Sequence, residues 1–186
     1  MRNYPDYPAP RGNVLLFSCM DLRLLDDIVR FMEHNNLTNR YDQFILAGTS
    51  LGAAINSDWK KTFFDHLKTA IELHGVEDLY ILHHRNCGAY KKFLHEKGEF
   101  DDTPHAQEQE KELHAEHAHA FAAEIREWVK TAKARDEGTA NQSKPVVGGG
   151  QPEGNKTKSS PPPQKEIKLQ VYCFLMDLRG NVAYLP

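Results

Sequence analysis

Two short runs hold the side chains best suited to act together. Cys19-Met20-Asp21-Leu22-Arg23 offers a thiol, a carboxylate and a guanidinium at alternate positions. His84-Arg85-Asn86-Cys87 offers an imidazole and a second thiol. Two thiolates and one imidazole suit a tetrahedral Zn2+, and three protein ligands leave a fourth position open for chemistry. Taken singly, Cys19 and Cys87 read as ordinary buried thiols, and His84 as a core histidine with its hydrogen bonds satisfied. The metal reading gains force if both runs lie at the same end of neighbouring strands. Cys87 also precedes a helix opening at Gly88, whose N-terminal dipole favours a thiolate.

The hydrophobic pattern supplies the elements that must position these runs. Residues 13–18 form a continuous apolar run that suits a strand buried on both faces. A helix follows over 24–34, then a strand over 43–47 and a loop over 48–52. A helix opening at Ser57 carries Trp59, Phe63, Leu67, Ala70 and Ile71 on one face and stops at His74-Gly75. A third strand covers 78–83 and a short helix 88–95. A charged helix over 104–134 opens on Pro104 and has a narrow stripe of Leu113, Phe121, Ile125 and Trp128-Val129. A strand over 167–175, a turn over 177–181 and a closing strand over 182–185 complete the chain. Alternating strands and helices predict an α/β fold, a mainly parallel central sheet flanked by helices. Ligands in such sheets bind beyond the carboxyl ends of the strands, where both runs fall.

Composition bounds the rest. The chain has 186 residues, 40% of them apolar, and a net charge of −3. That length suits a single domain over 1–186. No basic block marks a nucleic-acid partner, and no run approaches the length of a membrane span. The N-terminus lacks the apolar core of a secretory signal. Three cysteines argue against a disulfide framework. These features predict a soluble, cytoplasmic protein. Residues 137–165 contain five of the ten prolines and five of the twelve glycines, which predicts a flexible insertion. Cys173 lies in an apolar run and is expected in the core. The Pro-rich arm within 1–12 is expected either to lie across a partner subunit or to fray.

Cys-x-Asp-x-Arg followed by His-x-x-Cys-Gly resembles the β-class carbonic anhydrases, and His83-His84-Arg85-Asn86-Cys87-Gly88-Ala89 is especially close to their second motif. The resemblance spans residues 14–90, with a looser fit over 171–185. It implies a zinc lyase that interconverts CO2 and bicarbonate through a zinc-bound hydroxide, built as a homodimer or a dimer-based higher oligomer. By the same resemblance Cys19, His84 and Cys87 are the zinc ligands, and Asp21 and Arg23 the catalytic dyad. Arg23 would hold Asp21 through a charge-assisted, bidentate pair. The sequence also departs from the family. An Arg-Asn-Ala-Gly run common there is Ile45-Leu46-Ala47-Gly48 here, and a bicarbonate-binding glutamine has no counterpart near Pro10. Backbone groups at Gly48 and Gly88 are the candidate substitutes for binding substrate. Two alternatives stay open: a catalytically silent zinc-binding protein with Asp21 as fourth ligand, and a zinc hydrolase of carbonyl sulfide or carbon disulfide.

His114 and His117 share a helix face, and with His119 they invite a second-metal reading. A solvated helix face is the stronger expectation, since no third ligand can be named. His83 is expected to pack or to support a ligand from behind.

Overall fold

The computed structural model describes residues 2–140 and 168–186. Five strands form one sheet: Asn13–Ser18 (β1), Tyr41–Ile45 (β2), Val76–His84 (β3), Gln170–Met176 (β4) and Val182–Leu185 (β5). Their order is β2-β1-β3-β4-β5. The first four run parallel, and β5 returns antiparallel to β4 through a turn closed by Asp177 N–H donating to the Asn181 carbonyl. The α/β fold expected from the alternation is therefore present. From β1 the chain moves first to β2 on one side and later to β3 on the other. The order thus reverses between β1 and β3, and the crevice at such a reversal is where open α/β sheets bind ligands.

Strand alternation divides the core in two. On one face Leu15, Phe17, Leu79, Ile81, Cys173 and Leu175 pack against two helices, Ser57–His74 (α3) and Pro104–Ala140 (α5). On the other, Val14, Leu16, Tyr80, Leu82, Phe174 and Met176 meet Ile28, Phe31 and Met32 of the helix Leu25–His34 (α1). Cys173 is buried among apolar neighbours, as expected, and burial pushes its thiol up to about 12. It stays a protonated core residue. Asn56 caps α3 by accepting from the N–H groups of Asp58 and Trp59, and Gly75 ends that helix at φ +61°. The left-handed conformation suits glycine there.

Several elements differ from their sequence-based bounds. β2 lies two residues earlier than the 43–47 run. It is an edge strand with no fully buried residue, so its apolar residues do not mark its ends. The expected 48–52 loop is a tight turn at Gly48-Thr49 followed by a short helix, Ser50–Ile55 (α2). A Cβ on Gly52 would fall on the Ala47 carbonyl oxygen. Gly52→Ala is expected to destabilise the fold by about 1–3 kcal/mol, because the clash is with backbone that cannot rotate away. Urea denaturation measures it, and an unchanged midpoint would contradict the close packing of α2 on this turn.

The N-terminal arm packs on its own sheet and on α1. Tyr4 packs on Phe31 and His34, Tyr7 packs on Phe174 and donates its hydroxyl to Tyr80 Oη over 3.0 Å, and the Asn3 carbonyl accepts from Val182 N–H. The buried Asp78 carboxylate anchors the end of the arm, accepting from Arg11 N at 2.6 Å and Arg11 Nε at 3.0 Å. α5 runs to Ala140, past the 134 expected. From residue 141 onward the expected insertion lies outside the described residues. Among those residues no helix is long and apolar enough to cross a membrane.

Candidate metal centre

β1 and β3 are direct neighbours, with Ser18 beside Leu82. The residues that follow them therefore meet. Cys19 leaves the end of β1, His84 is the last residue of β3, and Cys87 immediately precedes the helix Gly88–Leu94 (α4). All three are buried, and one ligating atom from each lies within 4.8 Å of the others.

The donor geometry can be compared with what zinc requires. Two sulfurs bound tetrahedrally at about 2.3 Å stand about 3.8 Å apart. Cys19 Sγ and Cys87 Sγ are 3.9 Å apart. His84 Nδ1 donates to the Arg85 carbonyl at 2.9 Å, which fixes the tautomer and leaves Nε2 as the free lone pair. That Nε2 is buried with no hydrogen-bond partner among the described residues. A buried imidazole nitrogen without a partner is costly unless something else completes it. The residues fit a tetrahedral, thiolate-binding metal.

Without a metal the two thiols share a proton. Cys19 is lowered, first by the hydrogen bond from the Cys87 thiol, with His84 and the Gly48 N–H at 3.4 Å assisting. Cys87 is raised, first by that same hydrogen bond and then by burial. Two buried anions this close repel, which favours a thiolate paired with a thiol over two thiolates.

Asp21 and Arg23 form the expected fork. Arg23 Nε donates to Asp21 Oδ1 at 2.8 Å, Nη2 to Oδ2 at 2.6 Å, and the Arg23 backbone N–H adds a third contact at 3.1 Å. The Arg23 side chain is the main reason the Asp21 carboxyl is held down to about 2. Asp21 Oδ2 stands 3.8 Å from His84 Nε2, at the edge of the Cys19, His84 and Cys87 group. Gly48 donates its N–H to the Cys19 sulfur, and Gly88 opens α4 with open space where a Cβ would stand.

His83 and His84 point to opposite faces, as adjacent strand residues must. His83 is buried beneath α5, with Nε2 hydrogen-bonded to Ser50 Oγ at 2.7 Å, and its Nδ1 to His114 Nδ1 at 3.0 Å and Tyr90 Oη at 3.1 Å. The solvated-face reading of His114 is overturned. This residue is 1% exposed, and burial lowers its pKa well below the ordinary value. His117 is half-buried near Tyr90, and His119 is exposed. Among the described residues they assemble no metal cluster with a third ligand.

Sequence reasoning missed Glu110, Ser50 and Tyr90. Glu110 is buried on α5 and accepts from the Asn86 N–H and from Arg85. A signal for it existed. The stripe Phe121–Ile125 continues backward in steps of three or four through Ala118, His114, Glu110 and Ala106, all buried.

No family model matches the chain. An uncharacterized protein of Rickettsia bellii (strain RML369-C) is 36% identical over 108 residues, covering 56% of this chain and 62% of its own. An uncharacterized protein of Rickettsia conorii (strain ATCC VR-613 / Malish 7) is 40% identical over 83 residues, covering 43% of this chain and 44% of its own. The chain thus spans less than two thirds of the length of these curated relatives. Among solved structures, the wild-type β-carbonic anhydrase CafD of Aspergillus fumigatus matches with a TM-score of 0.51 and 12% identity, over 97% of this chain and 95% of its own. A carbonic anhydrase of Streptococcus mutans matches with a TM-score of 0.42 and 16% identity, over 98% of this chain and 87% of its own. The fold resembles that of the β-carbonic anhydrases.

Proposed function

We propose that this chain is a zinc-dependent lyase of the β-carbonic-anhydrase kind, interconverting CO2 and bicarbonate, with Cys19, His84 and Cys87 holding Zn2+. The observation that carries the reading is the buried His84 Nε2, without a hydrogen-bond partner among the described residues, beside two thiols at metal-ligand spacing and a carboxylate gripped by arginine. When bound, zinc supplies Lewis acidity that brings the pKa of water towards neutrality.

The chain's own residues do the rest. Asp21, ionised throughout the physiological range, can accept a hydrogen bond from attacking water and so orient its lone pair toward carbon. Arg23 keeps both carboxylate oxygens engaged, which holds Asp21 beside the metal position. The His84 tautomer, set by the Arg85 carbonyl, keeps Nε2 available. Leu51 and Tyr90 pack with Cys19 and Cys87 and keep the thiolate side dry. In this reading the protein is a single-domain homodimer or dimer-based oligomer in the cytoplasm, acting on a small molecule.

Stopped-flow CO2 hydration on zinc-loaded protein tests the reading, with Cys19→Ser as the blank. The expected result is a zinc-dependent rate well above that blank between pH 7 and 9. A rate equal to the blank throughout that range overturns the assignment of CO2 as substrate.

A further inference from the structure

The two residues between His84 and Cys87 are held by the long helix rather than by their own strand alone. Asn86 adopts φ +54°, a left-handed conformation that asparagine enters more readily than most non-glycine residues. Glu110 of α5 fastens this turn to the helix. Its Oε1 accepts from Asn86 N–H at 2.5 Å, and its Oε2 accepts from Arg85 Nη1 at 3.0 Å. Arg85 Nη1 also reaches the Gln107 carbonyl at 2.7 Å, one turn earlier on the helix.

The peptide that Glu110 grips joins Arg85 to Asn86. Its N–H points to Glu110, and its carbonyl accepts from His84 Nδ1 at 2.9 Å. A carboxylate pulling on the N–H makes that carbonyl a stronger acceptor, which orients the imidazole. The next carbonyl, that of Asn86, accepts from Arg23 Nη2 at 2.9 Å, the same nitrogen that holds Asp21 Oδ2. One buried carboxylate therefore stands behind both a metal ligand and the arginine fork.

We propose that Glu110 is the positioning residue of this centre: through the Arg85–Asn86 peptide and the Asn86 carbonyl, it orients His84 and keeps Arg23 on Asp21. The inference rests on the metal reading given above. Glu110 touches no reacting atom, and its effect is transmitted through the ligand loop.

Cobalt substitution separates positioning from mere support of the fold. Full-length protein is loaded with Co2+, and its thiolate-to-cobalt and ligand-field bands are followed during azide titration. Wild type is expected to show both bands and to respond to azide. In Glu110→Ala the azide response is expected to vanish, because a released Asp21 occupies the fourth position. The double variant Glu110→Ala/Asp21→Ala is expected to regain it, and to bind cobalt about 10–100-fold more weakly than Asp21→Ala alone. Glu110→Gln, whose amide oxygen still accepts from Asn86 N–H, is expected to keep the response.

Should Glu110→Ala fail to fold, Glu110→Asp carries the test, since the shorter carboxylate cannot span both partners. A folded Glu110→Ala or Glu110→Asp with wild-type azide response and cobalt affinity overturns the proposal. So does a cobalt-loaded wild type that ignores azide. A wild type with no thiolate-to-cobalt band overturns the metal reading itself, a result distinguishable from the other two.

Discussion

His84→Ala is expected to bind zinc more than about 100-fold more weakly than wild type and to lose CO2 hydration with it. Loss of a residue that only supports a ligand already costs about 10–100-fold in metal affinity, and loss of a ligand must exceed that. The fold is expected to survive, since the ring contributes its Nε2 to no other partner among the described residues. What remains is two thiols 3.9 Å apart with one proton between them. Binding has a pH dependence of definite sign. Cys19 is lowered by its hydrogen bond from Cys87, and Cys87 is raised by that same bond and by burial, which leaves Cys87 as the thiol that keeps the proton. Zinc must displace that one proton, so affinity in the wild type rises with pH by about tenfold per unit. Competition with a chromophoric chelator between pH 6 and 7.5 measures both effects. An affinity in His84→Ala within a few-fold of wild type would remove the imidazole from the ligand set.

The fold and the grouping of Cys19, His84 and Cys87 were legible for the same reason. β1, β3 and β4 are largely buried on both faces, so each holds a continuous apolar stretch, and the polar residues that follow those stretches stand out. Cys19 and His84 are such residues. The edge strand β2 gave a shifted signal, because Asp42 and Gln43 sit within it and its burial is only partial. α2 gave none. Six residues cannot display a helical period, and its placement depends on Gly52 lying against the Ala47 carbonyl, a contact visible only in three dimensions.

The support behind the site was hidden in α5. Polar residues on a long helix normally face water, so His114 read as solvated and Glu110 was not singled out. Their burial follows from the α5 packing stripe that begins with Phe121 and Ile125. Once α5 lies on the sheet, positions 110 and 114 fall behind the ends of β3 and α4 whatever side chains they carry. There they meet Asn86 and His83, 24 and 31 residues away in sequence. Such pairings are set by topology, and local pattern carries no trace of them. The N-terminal arm is a similar case. Its prolines indicated an extended chain, but Tyr4 and Tyr7 docking on α1 and the sheet decides where it lies.

Arg23→Ala is expected to leave zinc bound while lowering CO2 hydration by about 100-fold or more, the scale on which loss of one aligned polar group in an active site is felt. The argument is a competition for one carboxylate. In the wild type both Asp21 oxygens are engaged by Arg23 through contacts of 2.8 and 2.6 Å, charge-assisted and nearly planar in their demands. Without the guanidinium, the nearest electropositive group is the metal position. Nitrogen and carboxylate-oxygen ligands of a tetrahedral zinc lie about 3.4 Å apart. Asp21 Oδ2 is already 3.8 Å from His84 Nε2, so a freed carboxylate would have little distance to cover to stand as a second ligand beside it. Closure fills the position that water needs, and activity falls although the metal is retained. X-ray absorption at the zinc edge distinguishes this from simple loss of electrostatics, because it reads the carboxylate as a ligand directly. Arg23→Lys is expected to close as well, since a point charge cannot span both oxygens. An Arg23→Ala protein with full turnover and water still on its zinc would show that Asp21 is held in place by something other than Arg23.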